Sequence, residues 1–269
     1  MDRGLRSNHQ MIMDRFVKTC EADERIVAVL LVGSYIKGEP DEHSDLDLYI
    51  ITTEETHDDF VSKRGLFVEL LSEPLFAEDF DIPNIVFLIF PDGLEVEIHY
   101  VSETRANHVF NEPFKVLVDK KNIMAGIVPE KQEPDQAKQT EKLRRLIYWF
   151  WHDFSHFVTA MGRNQLWWAH GQLDVLRSMC VGLARLKNDF SDPDVDEEVY
   201  FKIEKAMPVE MLSPLQGTFC PMEKEAMQKA GFVLIQFYKE HARSLAQAHG
   251  IAYPEELERV MIERLSKLR

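Results

Sequence analysis

Cysteine is scarce in this chain of 269 residues: Cys20, Cys180 and Cys220 are odd in number, far apart and without a CxxC pair. That excludes a disulfide framework and a zinc knuckle, and the three are expected to be buried thiols. Long apolar runs are missing too. The opening "MDRGLRSNHQMIMDRF" holds no run of signal-peptide length, and nowhere do about 18 uninterrupted apolar residues occur, the length a spanning helix needs. The expectation is a cytoplasmic protein without a membrane partner. Positive charge is short in the first half only, with 12 basic against 25 acidic residues up to Val128 and 19 against 21 beyond it, for a net charge of −15. A field of that sign repels nucleic acid and anionic lipid and attracts cationic small molecules or metal ions.

What is present is globular. Hydrophobic residues make up 45% and charged residues 29%, which supplies cores and excludes large-scale disorder, and the length fits two ordinary domains. Leu5, Ile12, Phe16 and Val17 lie near helical spacing, so an amphipathic helix is expected to open the chain. In "RIVAVLLVGS", six of the seven residues from Ile26 to Val32 are β-branched or leucine, the pattern of a buried strand closed by Gly33. "DLDLYIIT" is a second strand, and "EETHDDFVSKRGLFVELLS" is mostly polar, with helical stretches expected in it. "NIVFLIF-PDG-LEVEIHYV" is a hairpin, with Pro91-Asp92-Gly93 as its turn.

Composition changes after Val128. "PEKQEPDQAKQT", residues 129–140, is polar with two prolines and reads as a linker. Beyond it come long segments with apolar residues three and four apart. The expected fold is therefore α+β: a small mixed-sheet domain over 1–128, a linker over 129–140, and an all-α helical bundle over 141–269.

Asp45 and Asp47 carry the chemistry. In an extended chain residues i and i+2 project to one face, so two carboxylates stand side by side while Leu46 and Leu48 enter the core. Like charges that close raise each other's pKa unless a cation lies between them, and magnesium, which takes hard oxygen ligands and pairs with phosphates, suits the place. Gly33-Ser34, at the end of the preceding strand, offers a glycine that lets backbone approach a phosphate, a hydroxyl, and the amides of a helix start. A phosphate site next to two carboxylates suits a nucleoside triphosphate with magnesium.

"GSYIKGEPDEHSDLDLYI" resembles the signature of the polymerase-beta-type nucleotidyltransferase superfamily: Gly-Ser, a short helix with a glycine, then Ser-Asp-x-Asp opening a strand. The resemblance covers residues 26–102. It implies that Asp45 and Asp47 bind two catalytic Mg2+ ions and that a later strand supplies a third carboxylate. Glu97 in "LEVEIHYV" is the best match, and Glu95 on the same face competes for the role. Gly33, Ser34, Lys37 and Ser44 form the implied nucleotide-binding set. A transferase domain followed by a helical bundle is similar to bacterial aminoglycoside and lincosamide nucleotidyltransferases, whose bundle helps bind the acceptor.

The implied reaction moves a nucleoside monophosphate, with AMP from ATP the first expectation among the triphosphates, to a hydroxyl of a small acceptor. The acidic first half favours a cationic one, such as an antibiotic of those classes. Two alternatives stay open: an interaction protein that keeps the fold, as in antitoxin relatives of the superfamily, and a transferase acting on a protein. The chain is expected as a monomer or homodimer.

Other features have plain explanations. His152 and His156 share a helical face at i, i+4, a metal-ligand spacing, but "HDFSH" lacks the glutamate of zinc proteases. Trp149, Trp151, Trp167 and Trp168 read as bundle core before they read as a stacking wall. Asp153 and Asp174 read as helix charges before acceptor contacts. "DPDVDEE", residues 192–198, resembles half a calcium loop without its glycine.

Overall fold

The computed structural model describes the chain except residues 1–6, 39, 42, 72, 107–112, 128–134, 193–194, 196–197 and 269. It divides into two compact units, Met1–Gln132 and Glu133–Arg269. The first half of the linker read over 129–140 falls outside the described residues, and a helix already begins at Gln136.

The first unit opens with α1 (Ser7–Ala22), followed by β1 (Ile26–Leu31), α2 (Ser34–Lys37) and β2 (Leu46–Thr52). Then come α3 (His57–Ser62), α4 (Arg64–Leu71), β3 (Phe76–Glu78), β4 (Ile85–Ile89), β5 (Glu95–Ser102) and β6 (Lys115–Asp119). The strands form one sheet in the order β3-β4-β5-β2-β1-β6. Among the described residues only β2 and β5 pair in parallel. The expected hairpin is β4–β5, and Gly93 turns it at φ 81.

β1 is buried along its whole length, as its unbroken apolar run requires. One sheet face packs on α1, α3 and α4: Leu46, Leu48, Val86, Leu88, Val96 and Ile98 share a core with Met13, Phe16, Phe60 and Phe67. Residues between those strand positions must point to the other face, where a smaller cluster of Ala28, Leu30, Ile51, Ala106 and Met124 covers part of the sheet.

The second unit is helical: α5 (Gln136–Gly162), α6 (Leu166–Asn188), α7 (Ile203–Ala206), α8 (Val209–Gln216), α9 (Lys224–Ala248) and α10 (Glu255–Ser266). Asp135 caps α5, its carboxylate accepting from the amides of Ala137 and Lys138, and so starts the helix inside the polar stretch. Leu143, Ile147, Phe150, Trp151, Phe154 and Phe157 form one face of α5 and pack in the core with Leu173, Leu176, Leu234 and Tyr238. No helix among the described residues is long and apolar enough to cross a membrane.

Candidate active site

Leaving β1, the Val32 amide bonds the Asp47 carbonyl at 3.0 Å, which sets the next residue, Gly33, against the Asp47 side chain. Gly33 has φ 72, in the left-handed region, and a Cβ there would lie 1.9 Å from Asp47 Oδ2. Both facts demand glycine. α2 then begins at Ser34, whose hydroxyl oxygen is buried and has no hydrogen-bond partner among the described residues. Lys37 is exposed at the end of α2.

The loop into β2 is braced from within. The Ser44 hydroxyl accepts from the Asp41 amide at 2.9 Å and lies 3.3 Å from Asp41 Oδ1, while the Ser44 amide bonds the Asp41 carbonyl. Ser44 thus fixes the turn that delivers Asp45, which is exposed just before the strand.

Asp47 is directly opposite Glu97 in the parallel β2–β5 ladder. Their flanking residues Leu46, Leu48, Val96 and Ile98 enter the same core, so the two carboxylates leave the sheet on one side, on strands about 4.8 Å apart. Asp45 lies in the loop one residue before β2 begins at Leu46. Glu95 lies one pleat further out, opposite Ile89, and is exposed. Glu97 Oε1 is 2.6 Å from His99 Nε2, and the His99 ring stacks on Tyr49, centroids 4.6 Å apart and planes 11° from parallel. His99 and Tyr49 are again a register pair. This His-Tyr brace on Glu97 has no sequence signal, because it depends on which residues the ladder sets opposite each other.

The donor set fits a divalent cation. Asp47 and Glu97, hard oxygen donors, stand opposite each other on adjacent strands, and Gly33, whose Cβ would strike Asp47, is followed by Ser34 with its buried hydroxyl.

In the helical unit, Asp153 Oδ1 is 2.8 Å from His152 Nδ1 and 3.9 Å from His156 Nδ1, and one ligand atom from each residue lies within 4.8 Å of the others. The carboxylate is already hydrogen-bonded to the His152 imidazole. Trp151 is fully buried core, whereas Trp149, Trp167 and Trp168 are exposed, a correction to the reading of all four as core. Asp174 is paired to the Arg177 guanidinium at 2.6 Å. Within residues 192–198, only partly described, Asp192 accepts from the buried Arg185 at 2.8 Å, the place of an ion pair. Cys20 and Cys180 are buried, and burial pushes both thiols far above their ordinary range; Cys220 is only half-buried, a departure from its expected burial.

The chain is by family a nucleotidyltransferase. The family is narrower: residues 5–268 match the streptomycin adenylyltransferase model, so the chain belongs to that family and is an adenylyltransferase, with a nucleoside triphosphate and a small-molecule acceptor as substrates. Among solved structures, an aminoglycoside 6-adenyltransferase from Bacillus subtilis is 19% identical, covering 98% of this chain and 99% of that one with a TM-score of 0.41. A nucleotidyltransferase-like protein from Exiguobacterium sibiricum 255-15 is 13% identical, covering 86% and 74%, with a TM-score of 0.35. No curated protein matches the chain in sequence.

Proposed function

We propose that this adenylyltransferase moves AMP from ATP to a hydroxyl of streptomycin or a related aminoglycoside, and that Asp45, Asp47 and Glu97 hold its Mg2+. The observation that carries the reading is the register pairing of Asp47 with Glu97 beside a glycine that no other residue could replace. The family model supports the nucleotide and the acceptor.

The chain's own groups divide the work. Gly33 opens a path for the triphosphate to the acids, and the buried Ser34 hydroxyl donates to a phosphate oxygen, which supplies the partner it lacks. Lys37, exposed on α2, adds a positive charge on the phosphate side. Mg2+ bound at the carboxylates would offset phosphate charge and favour departure of pyrophosphate. Glu97 takes the proton of the acceptor hydroxyl as general base, and that oxygen bonds the α-phosphorus while the bond to the β-phosphate oxygen breaks. The products are the adenylylated acceptor, pyrophosphate and one proton. His99, stacked on Tyr49, keeps the Glu97 carboxylate in place. Glu97 is favoured over Glu95 because it alone is in register with Asp47.

Pyrophosphate release from ATP with streptomycin, in Mg2+ buffer, tests the reading. Wild type should turn over, and Asp47→Asn should lose about 10²- to 10³-fold or more, the scale of removing one preorganised charge-stabilising group. Wild-type protein without turnover on any aminoglycoside would overturn it.

A further inference from the structure

Registers on the open sheet face place five positions along one line. From Gly33, which follows the Val32 contact to Asp47, the line runs through Asp47 and Glu97 to Phe87 on β4 and Glu78 on β3. Each step is one strand spacing, about 4.8 Å. In an in-line displacement the attacking oxygen and the leaving group lie on opposite sides of the phosphorus. With the triphosphate tail at Gly33 and Ser34, the attacking hydroxyl enters from Glu97, and the rest of its molecule extends over β4 and β3.

An aromatic shelf occupies that place. Phe80 is 62% exposed, yet its ring lies 5.8 Å from Phe87 and 5.9 Å from Phe76. Phe76 and Phe87 are half-buried, and Phe87 is the register partner of Glu97. Phe80 is held at φ 50, a backbone conformation that costs a bulky residue about 1 kcal/mol or more. The turn that imposes it is anchored: Asp79 pairs with Arg64 and accepts from the amide of Asp81 at 2.9 Å. Carboxylates rim the shelf, Glu78 opposite Phe87 and Glu95 opposite Ile89, both exposed. β3, β4 and β5 carry no lysine or arginine.

We infer that Phe76, Phe80 and Phe87 form the seat of the acceptor, a ring compound with ammonium groups whose C–H face lies on the aromatic rings. The inference rests on the proposed roles of the acids and adds the residues that select the acceptor. Aromatic faces attract polarised C–H bonds and cations, and the acidic rim suits ammonium groups and repels anionic acceptors.

The test is steady-state kinetics on the full chain with ATP and streptomycin, comparing wild type with Phe80→Ala, Phe80→Tyr and Glu78→Gln. Phe80 is exposed, so the variants should match wild type in circular dichroism and keep the fold. Phe80→Ala should raise KM for streptomycin about tenfold while KM for ATP stays within twofold, and Phe80→Tyr should restore it. Glu78→Gln should raise the streptomycin KM about threefold and flatten its salt dependence. If wild type transfers AMP and Phe80→Ala has an unchanged streptomycin KM, the shelf is refuted and the transferase reading stands. A rise in the ATP KM instead would make it a nucleobase platform and overturn the inference. If wild type transfers nothing to streptomycin or any other aminoglycoside, the function reading fails and takes the shelf with it.

Discussion

Gly33 meets two constraints at once. Its positive φ excludes side chains on conformational grounds, and Asp47 Oδ2 fills the space a Cβ would take. Gly33→Ala is therefore expected to lower stability by about 1–2 kcal/mol and to displace the Asp47 carboxylate. Thermal melting would show the first effect, and a loss of kcat in correctly folded protein the second. The cysteines give an independent check on burial. Cys20 and Cys180 should resist a thiol reagent at pH 8 in native protein and react on unfolding, since burial holds both as neutral thiols. Asp47 is legible in the sequence from strand period, but Glu97 rests on the resemblance, since Glu95 shares its face and only the β2–β5 register sets Glu97 rather than Glu95 opposite Asp47. His99 on Tyr49 is not legible there, because a ring stack between strands depends on register, which the sequence does not declare.

At the scale of elements, the strongest periodicities match the structure: the buried run of β1, the β4–β5 hairpin and the four long helices. Short elements leave no such pattern. β3 has three residues at one sheet edge and β6 five at the other, so neither shows an alternation long enough to read. α7 and α8 are brief, and Pro214 inside α8 reads as a breaker in sequence. Helix α10 carries a test of its own. Burial works against the Glu258 charge, but hydrogen bonds from Tyr253, Lys239 and Arg243 outweigh it and hold this carboxyl below its ordinary value. A depressed native pKa adds stability that is full above the unfolded value, about 4.5, and is lost as pH falls through the native one. Glu258→Gln should melt lower than wild type at pH 7, with the gap closing in acid. Equal melting temperatures at pH 7 would contradict this.

For the molecule as a whole, charge is the property read most directly from composition. A net −15 concentrated before Val128 should draw a cationic acceptor and repel polynucleotides. Raising NaCl from about 50 to about 500 mM is expected to raise KM for streptomycin severalfold, since the screening length falls from about 13 to about 4 Å. A KM indifferent to salt would remove long-range charge from the account. Each of the two units has its own core, one built on a sheet and one on helices. Their acceptor chemistry is far less visible in composition than their folds, because an aromatic shelf such as Phe76, Phe80 and Phe87 comes together only through a turn and two strand registers.

Carboxylates of Asp45, Asp47 and Glu97 are expected to hold one divalent-cation site beside the triphosphate. Mn2+ binding followed by electron paramagnetic resonance, with ATP present, measures it without turnover. Wild type should bind Mn2+, and Asp47→Asn and Glu97→Gln should each weaken it by at least about tenfold. Mn2+ affinity unchanged in both variants would contradict the account.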